Sequence, residues 1–433
     1  MIFLRVLKNY VNSLSSPQGI QCLRFTQANG RHCGMTKLPI LFSFLLFIFS
    51  SMAVAKSPFV EIEDFKDPNA KALWQALHNL ETGIRLEPVR IIQLGDSHTA
   101  GDYLTGRLRQ QLQAQYGNAG IGWLTPGYIV NQRSDLALMK GFGKWQVSDS
   151  KLPKTNDVFP LGGLFNTSGG ASIMDVKAKQ DLMSGSWQLS IWHKNSNTPW
   201  KIALPSGKLY KLAPQDHVDG EWNLSNIAVN STNAANLRLL APNGGSLGGI
   251  ALDRMSPGIT FDTMGINGAR ASIINRWDQT SVQKQLAWRK PQLIILAYGT
   301  NEAFETDISD YANQLRQVIR LLKKSAPEAA ILIVGAPASA KTRAPNSHGG
   351  CKLPLPPNLT QVMNIQKRIA KQERTLYWDW SAIMGGKCGA AIWANTRPQL
   401  MRKDLIHFSA EGYTATADAL VKAINEKVRE SAR

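Results

Sequence analysis

Cysteine is scarce in these 433 residues: four occur, Cys22, Cys33, Cys351 and Cys388, and none opens a CxxC or CxxH pair. That spacing argues against a structural metal site, which needs a tetrahedral ligand set. Acidic residues are the minority, 31 against 49 basic ones. The basic residues are scattered, however, with no arginine-rich run and no nucleic-acid motif, so nucleic acid is excluded as a partner. Nothing repeats at a fixed period, and low-complexity tracts are absent. A 43% hydrophobic fraction with twelve Trp leaves no room for a disordered chain.

Long apolar runs are lacking too, save one. Residues 38–55, LPILFSFLLFIFSSMAVA, follow Lys37 and end in Ala53-Val54-Ala55. The core is shorter than the roughly 20 residues of a spanning helix. It closes on the small-x-small pattern of a signal-peptidase site. We read residues 1–55 as a leader with a cleaved secretory signal, an uncleaved anchor being the alternative. Met35 makes the natural translation start. The segment holds five basic residues and no acidic one, so +13 of the formal +18 remains on residues 56–433. The signal segment leads to an expected location in the periplasm, where a chain this basic is expected near anionic wall polymer or a membrane surface. In an oxidising compartment, Cys351 and Cys388 are expected to form one disulfide.

The rest of the chain alternates between two textures. A helix over 69–81 and a buried strand over 89–94 come first. A helix over 99–116 follows, with Leu104, Leu108, Leu112 and Tyr116 on one face and Gly117 as its stop. From 139 to 259 helical periodicity gives way to short alternating runs such as WQLSIWHK and NLRLLA, the pattern of a β-sandwich. Trp145, Trp187, Trp192, Trp200 and Trp222 fall there, either as core or as a sugar-stacking surface. After 259 the rhythm returns: strands over 293–298, 330–334 and 376–380 alternate with helices over 308–324, 361–373 and 411–430. Such alternation predicts a mostly parallel sheet with helices on both faces. The expected organisation is a split α/β domain, 56–138 and 260–433, with an inserted β-rich domain over 139–259.

Reactive residues of a parallel α/β sheet collect at the carboxyl ends of its strands. In IIQLGDSHTAGD, Ser97 lies just past such an end and opens a helix, whose first amides attract developing negative charge. A serine needs a base to take its proton. Asp404-Leu405-Ile406-His407 offers one, with a carboxylate three residues away to orient the imidazole. Met264-Gly265-Ile266-Asn267-Gly268-Ala269 and Gly299-Thr300-Asn301-Glu302 offer oxyanion donors, through the Gly268 amide and the Asn301 side chain. Taken singly, the serine stretch and the two glycine-bearing stretches read more naturally as turns, and His407 as a surface histidine preceding a helix. Asp96 and His98 flank the serine: Asp96 is expected to hold the turn, and His98 to line the substrate or serve the structure. Asp102 reads as a helix-surface residue. His193, His217 and His348 have no evident partner.

Taken together, GDSH at 95–98, NGA at 267–269, GTNE at 299–302 and DLIH at 404–407 resemble, in order and context, the four blocks of the SGNH hydrolases, also called the GDSL esterases. The signal segment, GDSH in place of GDSL and a carbohydrate-binding-like β insertion are similar to the peptidoglycan O-acetylesterases of Gram-negative bacteria. The resemblance implies a flavodoxin-like α/β fold. It also implies a nucleophile at Ser97, a base at His407, an orienter at Asp404, and an oxyanion hole of Ser97, Gly268 and Asn301. Glu302 departs from the Asp usual in the wider family and is expected to support its loop. The implied activity is removal of acetyl groups from the C6 hydroxyl of muramic acid, with O-acetylated peptidoglycan or a related glycan as partner and no cofactor. O-acetyl transfer, another acetylated polysaccharide, and a non-catalytic wall-binding protein are the competing readings.

Overall fold

The computed structural model describes residues 58–433 except 128, 131, 155–156, 195–197, 213–220 and 342–350. The leader and signal segment, His217 and His348 therefore lie outside the described residues. Among the described residues no helix is long and apolar enough to cross a membrane.

The central sheet runs Glu63–Asp64, Leu376–Trp378, Ala330–Val334, Leu293–Ala297, Pro88–Gly95, Gly258–Gly265. The short Glu63–Asp64 edge is antiparallel, and every other pairing is parallel. Both faces are covered, so the strands are continuous apolar runs such as LIILA and AILIV. Alternate residues go to opposite faces. Ile92, Leu94, Ile294, Leu296, Ile331 and Ile333 enter one core. Val89, Ile91, Leu293, Ile295, Leu332 and Val334 enter the other. Helices pack on these faces through residues at three- and four-residue spacing, as with Leu73, Leu77 and Leu80 in Ala70–Glu81. In Tyr311–Ser325 the same role falls to Leu315, Val318, Ile319 and Leu322.

In chain order the five parallel strands lie 2-1-3-4-5 across the sheet, the flavodoxin-like order. Its switch point falls between Pro88–Gly95 and Leu293–Ala297, where chain connections leave in opposite directions and a crevice opens. Ser97 follows the first of these strands and Asn301 the second.

The helix expected over 99–116 is two pieces, Ser97–Ala100 and Tyr103–Tyr116. They are separated at Asp102, whose φ of 52° lies in the left-handed region and cannot continue a helix. Between the first and second parallel strands stand two antiparallel sheets. One runs Leu209–Leu212, Trp200–Ala203, Asn236–Ala241, Ser172–Ala178, Ala137–Phe142. The other runs Trp222–Asn230, Ser186–Lys194, Ser246–Arg254, Leu164–Ser168, Trp145–Asp149. Gly120–Leu124 joins the second of them, well ahead of the expected boundary at 139, by pairing with Ser246–Arg254.

Of the five Trp singled out in the sequence, Trp187, Trp192, Trp200 and Trp222 are no more than 2% exposed. These four fill core, while Trp145 is partly exposed and packs against the sandwich core. Trp192 and Trp222, with Trp123, Phe159 and Phe165, belong to the same cluster as Ile92 and Ile294 of the central sheet.

Candidate active site

The strand Pro88–Gly95 delivers Ser97 at its carboxyl end. Gly95 is required there: a Cβ on it would lie 2.0 Å from Thr99 Oγ1 and 2.8 Å from the Ala297 carbonyl. Asp96 caps the following helical turn, its Oδ1 accepting the His98 amide at 2.9 Å. Ser97 Oγ then lies 2.9 Å from His407 Nε2, across 310 residues of chain.

His407 is held from its other side. Its Nδ1 is 2.9 Å from Asp404 Oδ2. Asp404 Oδ1 accepts the amides of Ile406 and His407, each at 2.9 Å. This wrap is possible because Leu405 takes a left-handed φ of 59°, turning both amides back on the carboxylate. Partial burial would raise the Asp404 pKa, but those two amides and the imidazole outweigh it and hold the group below its ordinary value. An ionised carboxylate only accepts hydrogen bonds. Nδ1 therefore carries the proton, and the lone pair of Nε2 faces the Ser97 hydroxyl. The His407 and Asp404 side chains are 32% and 44% exposed, so water reaches them.

Gly268 follows the strand Gly258–Gly265 and has a φ of 71°, which glycine adopts without penalty. Neither the Ser97 nor the Gly268 amide has an acceptor among the described residues, and both residues line the cleft that contains the His407 ring. Asn301 lines it too. Its Nδ2 donates to the Ala269 carbonyl at 2.9 Å and points toward Asp96 Oδ2 at 3.4 Å. The second is a long, weak hydrogen bond to a buried carboxylate. Glu302 ties these loops together, its carboxylate accepting the Ala271 amide at 2.7 Å and the Gly299 amide at 3.1 Å. Burial pushes the Glu302 pKa up to about 7. Burial, with Glu302's charge beside it, does the same to Asp96, also to about 7.

Of the other flanking residues, His98 takes the structural one of its two expected roles, and Asp102 departs from its expected place. His98 does not line substrate: it is 1% exposed, with Nδ1 2.9 Å from the Tyr413 hydroxyl and its ring packed against Trp380, Phe408 and His407. Burial, then the neighbouring His407, push its pKa down to about 3, against the pull of Asp404. Asp102 is not on a helix surface. It is 2% exposed and accepts from Thr105 Oγ1, Arg109 Nη2 and the Asp135 amide at 2.6, 2.9 and 2.8 Å. A buried aspartate surrounded by polar donors gives no pattern by which sequence could find it. His193 is engaged within the insertion, by Ser225 Oγ at 2.9 Å.

The cleft over Ser97 has a volume of about 740 Å³. Its rim carries Tyr103, with the Arg133 guanidinium 4.3 Å and the Arg402 guanidinium 5.8 Å from the ring centre. Neither arginine was visible as a site residue in the sequence. Cys351 and Cys388 are joined by a disulfide, with Cα atoms 5.3 Å apart. It links the segment after Ala330–Val334 to the start of the helix Gly389–Ala394.

A family model described as GDSL-like lipase/acylhydrolase matches residues 245–415, and one described as peptidoglycan O-acetylesterase, N-terminal, matches residues 119–231. A solved structure described as a peptidoglycan O-acetylesterase in action is 32% identical, with 85% of this chain and 99% of that chain covered and a TM-score of 0.73. A putative GDSL-like lipase from Parabacteroides merdae is 15% identical over 39% of this chain and 73% of its own, with a TM-score of 0.28. For an acetyl xylan esterase the values are 16%, 38%, 81% and 0.29. No curated protein sequence matches.

Proposed function

Since the chain belongs to the peptidoglycan O-acetylesterase family of GDSL-like acylhydrolases, we propose that it is a periplasmic serine esterase removing the C6 O-acetyl group of muramic acid in peptidoglycan. The observation that carries this reading is the Ser97–His407–Asp404 chain, with 2.9 Å at each step, at the sheet's switch point. Ser97 Oγ attacks the acetyl carbonyl carbon while its proton passes to His407 Nε2, and Asp404 stabilises the resulting imidazolium. The amides of Ser97 and Gly268 and the Asn301 side chain hold the oxyanion. The carbon–oxygen bond to the sugar then breaks, and His407 returns the proton to the departing sugar oxygen. A water molecule, deprotonated by His407, attacks the acetyl-serine. Acetate leaves and Ser97 regains its proton.

The exposure of His407 favours water as the second acceptor over a sugar hydroxyl. The two arginines on the rim suit a glycan whose peptide stems carry carboxylates. The +13 charge of residues 56–433 suits residence at the wall or at a membrane surface.

One experiment tests these points. Protein recovered from the periplasm begins at Lys56 and releases acetate from O-acetylated peptidoglycan in preference to acetylated xylan. In Ser97→Ala the release falls by about 10³-fold or more. Activity mainly on xylan overturns the substrate, an equally active variant overturns the mechanism, and a cytoplasmic, uncleaved product overturns the export.

A further inference from the structure

Lys151 belongs to the inserted β domain, just after the strand Trp145–Asp149, yet it reaches the wall of the cleft. Its Nζ donates to the Asn267 carbonyl at 2.6 Å, and a Cβ placed on Gly268 would stand 3.4 Å from the same nitrogen. Asn267 C=O and Gly268 N–H are the two ends of one planar peptide group and point in opposite directions. Fixing the carbonyl therefore fixes the direction of the amide. Glycine allows either sign of φ at little cost, so this peptide plane is one that can rotate unless something grips it.

We propose that Lys151 is a positioning residue for the oxyanion hole, through which the inserted domain holds the Gly268 amide toward the reacting carbonyl. The inference rests on the esterase reading above. The ammonium acts in two ways. It clamps the peptide plane through a charge-assisted bond. It also polarises that group, which makes the N–H at its far end a stronger donor.

Lys151 is itself held in place. Asp149 Oδ1 accepts its amide at 2.8 Å. Arg276 Nη1 donates to the Ser150 and Lys151 carbonyls at 3.2 and 3.3 Å, and Trp277 Nε1 to Ser150 Oγ at 3.1 Å. Of the hydrolase part, Arg276 thus grips the backbone that carries the lysine, and Trp277 holds the side chain of the preceding serine. Lys151 makes no ion pair among the described residues, so its one strong partner is that carbonyl.

The test uses the full mature protein with p-nitrophenyl acetate, which needs no glycan recognition, alongside O-acetylated peptidoglycan. An oxyanion donor acts in the transition state, so its misdirection lowers kcat and leaves KM. Lys151→Met is expected to lose about tenfold to a hundredfold in kcat on both substrates, less than the 10²–10³ of a removed donor. KM should stay within about twofold. Lys151→Arg, which can still bond the carbonyl, should recover most of the rate. Lys154→Met removes an equal charge from the same segment without touching the loop and should behave as wild type. Should Lys151→Met not fold, Lys151→Gln against Lys151→Arg carries the same comparison. A Lys151→Met rate within twofold of wild type overturns the proposal. So does a rise in KM alone, or an arginine variant as slow as the methionine one. Wild-type protein no faster than Ser97→Ala on both substrates overturns the esterase reading instead, and the role of Lys151 falls with it.

Discussion

His98 is the neighbour of Ser97 in sequence and of His407 in space, with 5.4 Å between the imidazole centroids. Its surroundings make it a neutral packing element. A histidine whose folded pKa lies near 3, against an ordinary 6.5, binds fewer protons folded than unfolded everywhere between those values. Its contribution to stability is therefore complete above about 6.5 and is lost progressively as pH falls toward 3. In urea titrations from pH 7.5 to 4, His98→Gln is expected to show a shallower acid loss than wild type, with the two curves converging at low pH. Parallel curves would mean that His98 takes up its proton as readily in the fold as in the unfolded chain. The proposed triad was legible because its members sit in short, ordered stretches: Asp404 and His407 are three residues apart, and Ser97 follows a strand. His98 was not, because a buried and an exposed histidine look the same in a sequence. Arg133, Arg402 and Lys151 gave no signal either, since they are single cations among 49 basic residues.

The segment from Ser97 to Tyr116 has the apolar spacing of one helix, and the four-residue repeat of Leu104, Leu108, Leu112 and Tyr116 is kept in the structure. The break ahead of it comes from tertiary structure that periodicity does not carry. Asp102 turns the chain with a left-handed φ and sends its carboxylate inward to Arg109, whose side chain is 4% exposed. Arg109 also donates to Thr263 Oγ1 and, through Nε, to the Phe261 carbonyl, so the turn is tied to the strand before Gly268. Asp102 Oδ2 in addition anchors the Asp135 amide and with it the loop carrying Arg133. Removing one member of a buried ion pair strands the other, at a cost of about 3–5 kcal/mol. Asp102→Ala should lose that much in equilibrium unfolding. Asp102→Asn, which tolerates the left-handed turn but not the charge pairing, should lose less. A cost under about 1 kcal/mol for the alanine variant would show that Arg109 finds water or another acceptor. The same contrast holds for Gly120–Leu124, which is too short to declare which sheet it joins, and only its pairing with Ser246–Arg254 decides.

At the scale of the molecule, the sandwich and the α/β sheet share a core as well as a chain. Trp123, Phe159, Phe165, Trp192 and Trp222 pack in one cluster with the central strands, so the tryptophan-rich composition of the insertion reflects this packing. Arg289, at the end of the helix Gln279–Arg289, sits at the seam. It binds Asp262 of the central sheet through Nε and Nη2 at 2.8 and 2.7 Å, and Asp253 of the sandwich through Nη1. Its side chain is 1% exposed. Burial alone would lower its pKa, but the two carboxylates raise it above the ordinary value and keep it charged. Asp262 Oδ1 also accepts the Trp123 amide at 2.9 Å, adding a backbone tie across the same seam. Arg289→Met leaves two carboxylates facing each other in the core without the guanidinium that bonds both. The expected loss is about 3–5 kcal/mol. Because the apolar cluster is common to both parts, the variant should still unfold in one cooperative step, with tryptophan fluorescence and far-ultraviolet circular dichroism falling together at a lower urea midpoint. Two separated transitions would show that Arg289, rather than the shared cluster, makes the two parts one folding unit. The Lys151 contact would then depend on the same seam, and acetate release would fall with the first transition.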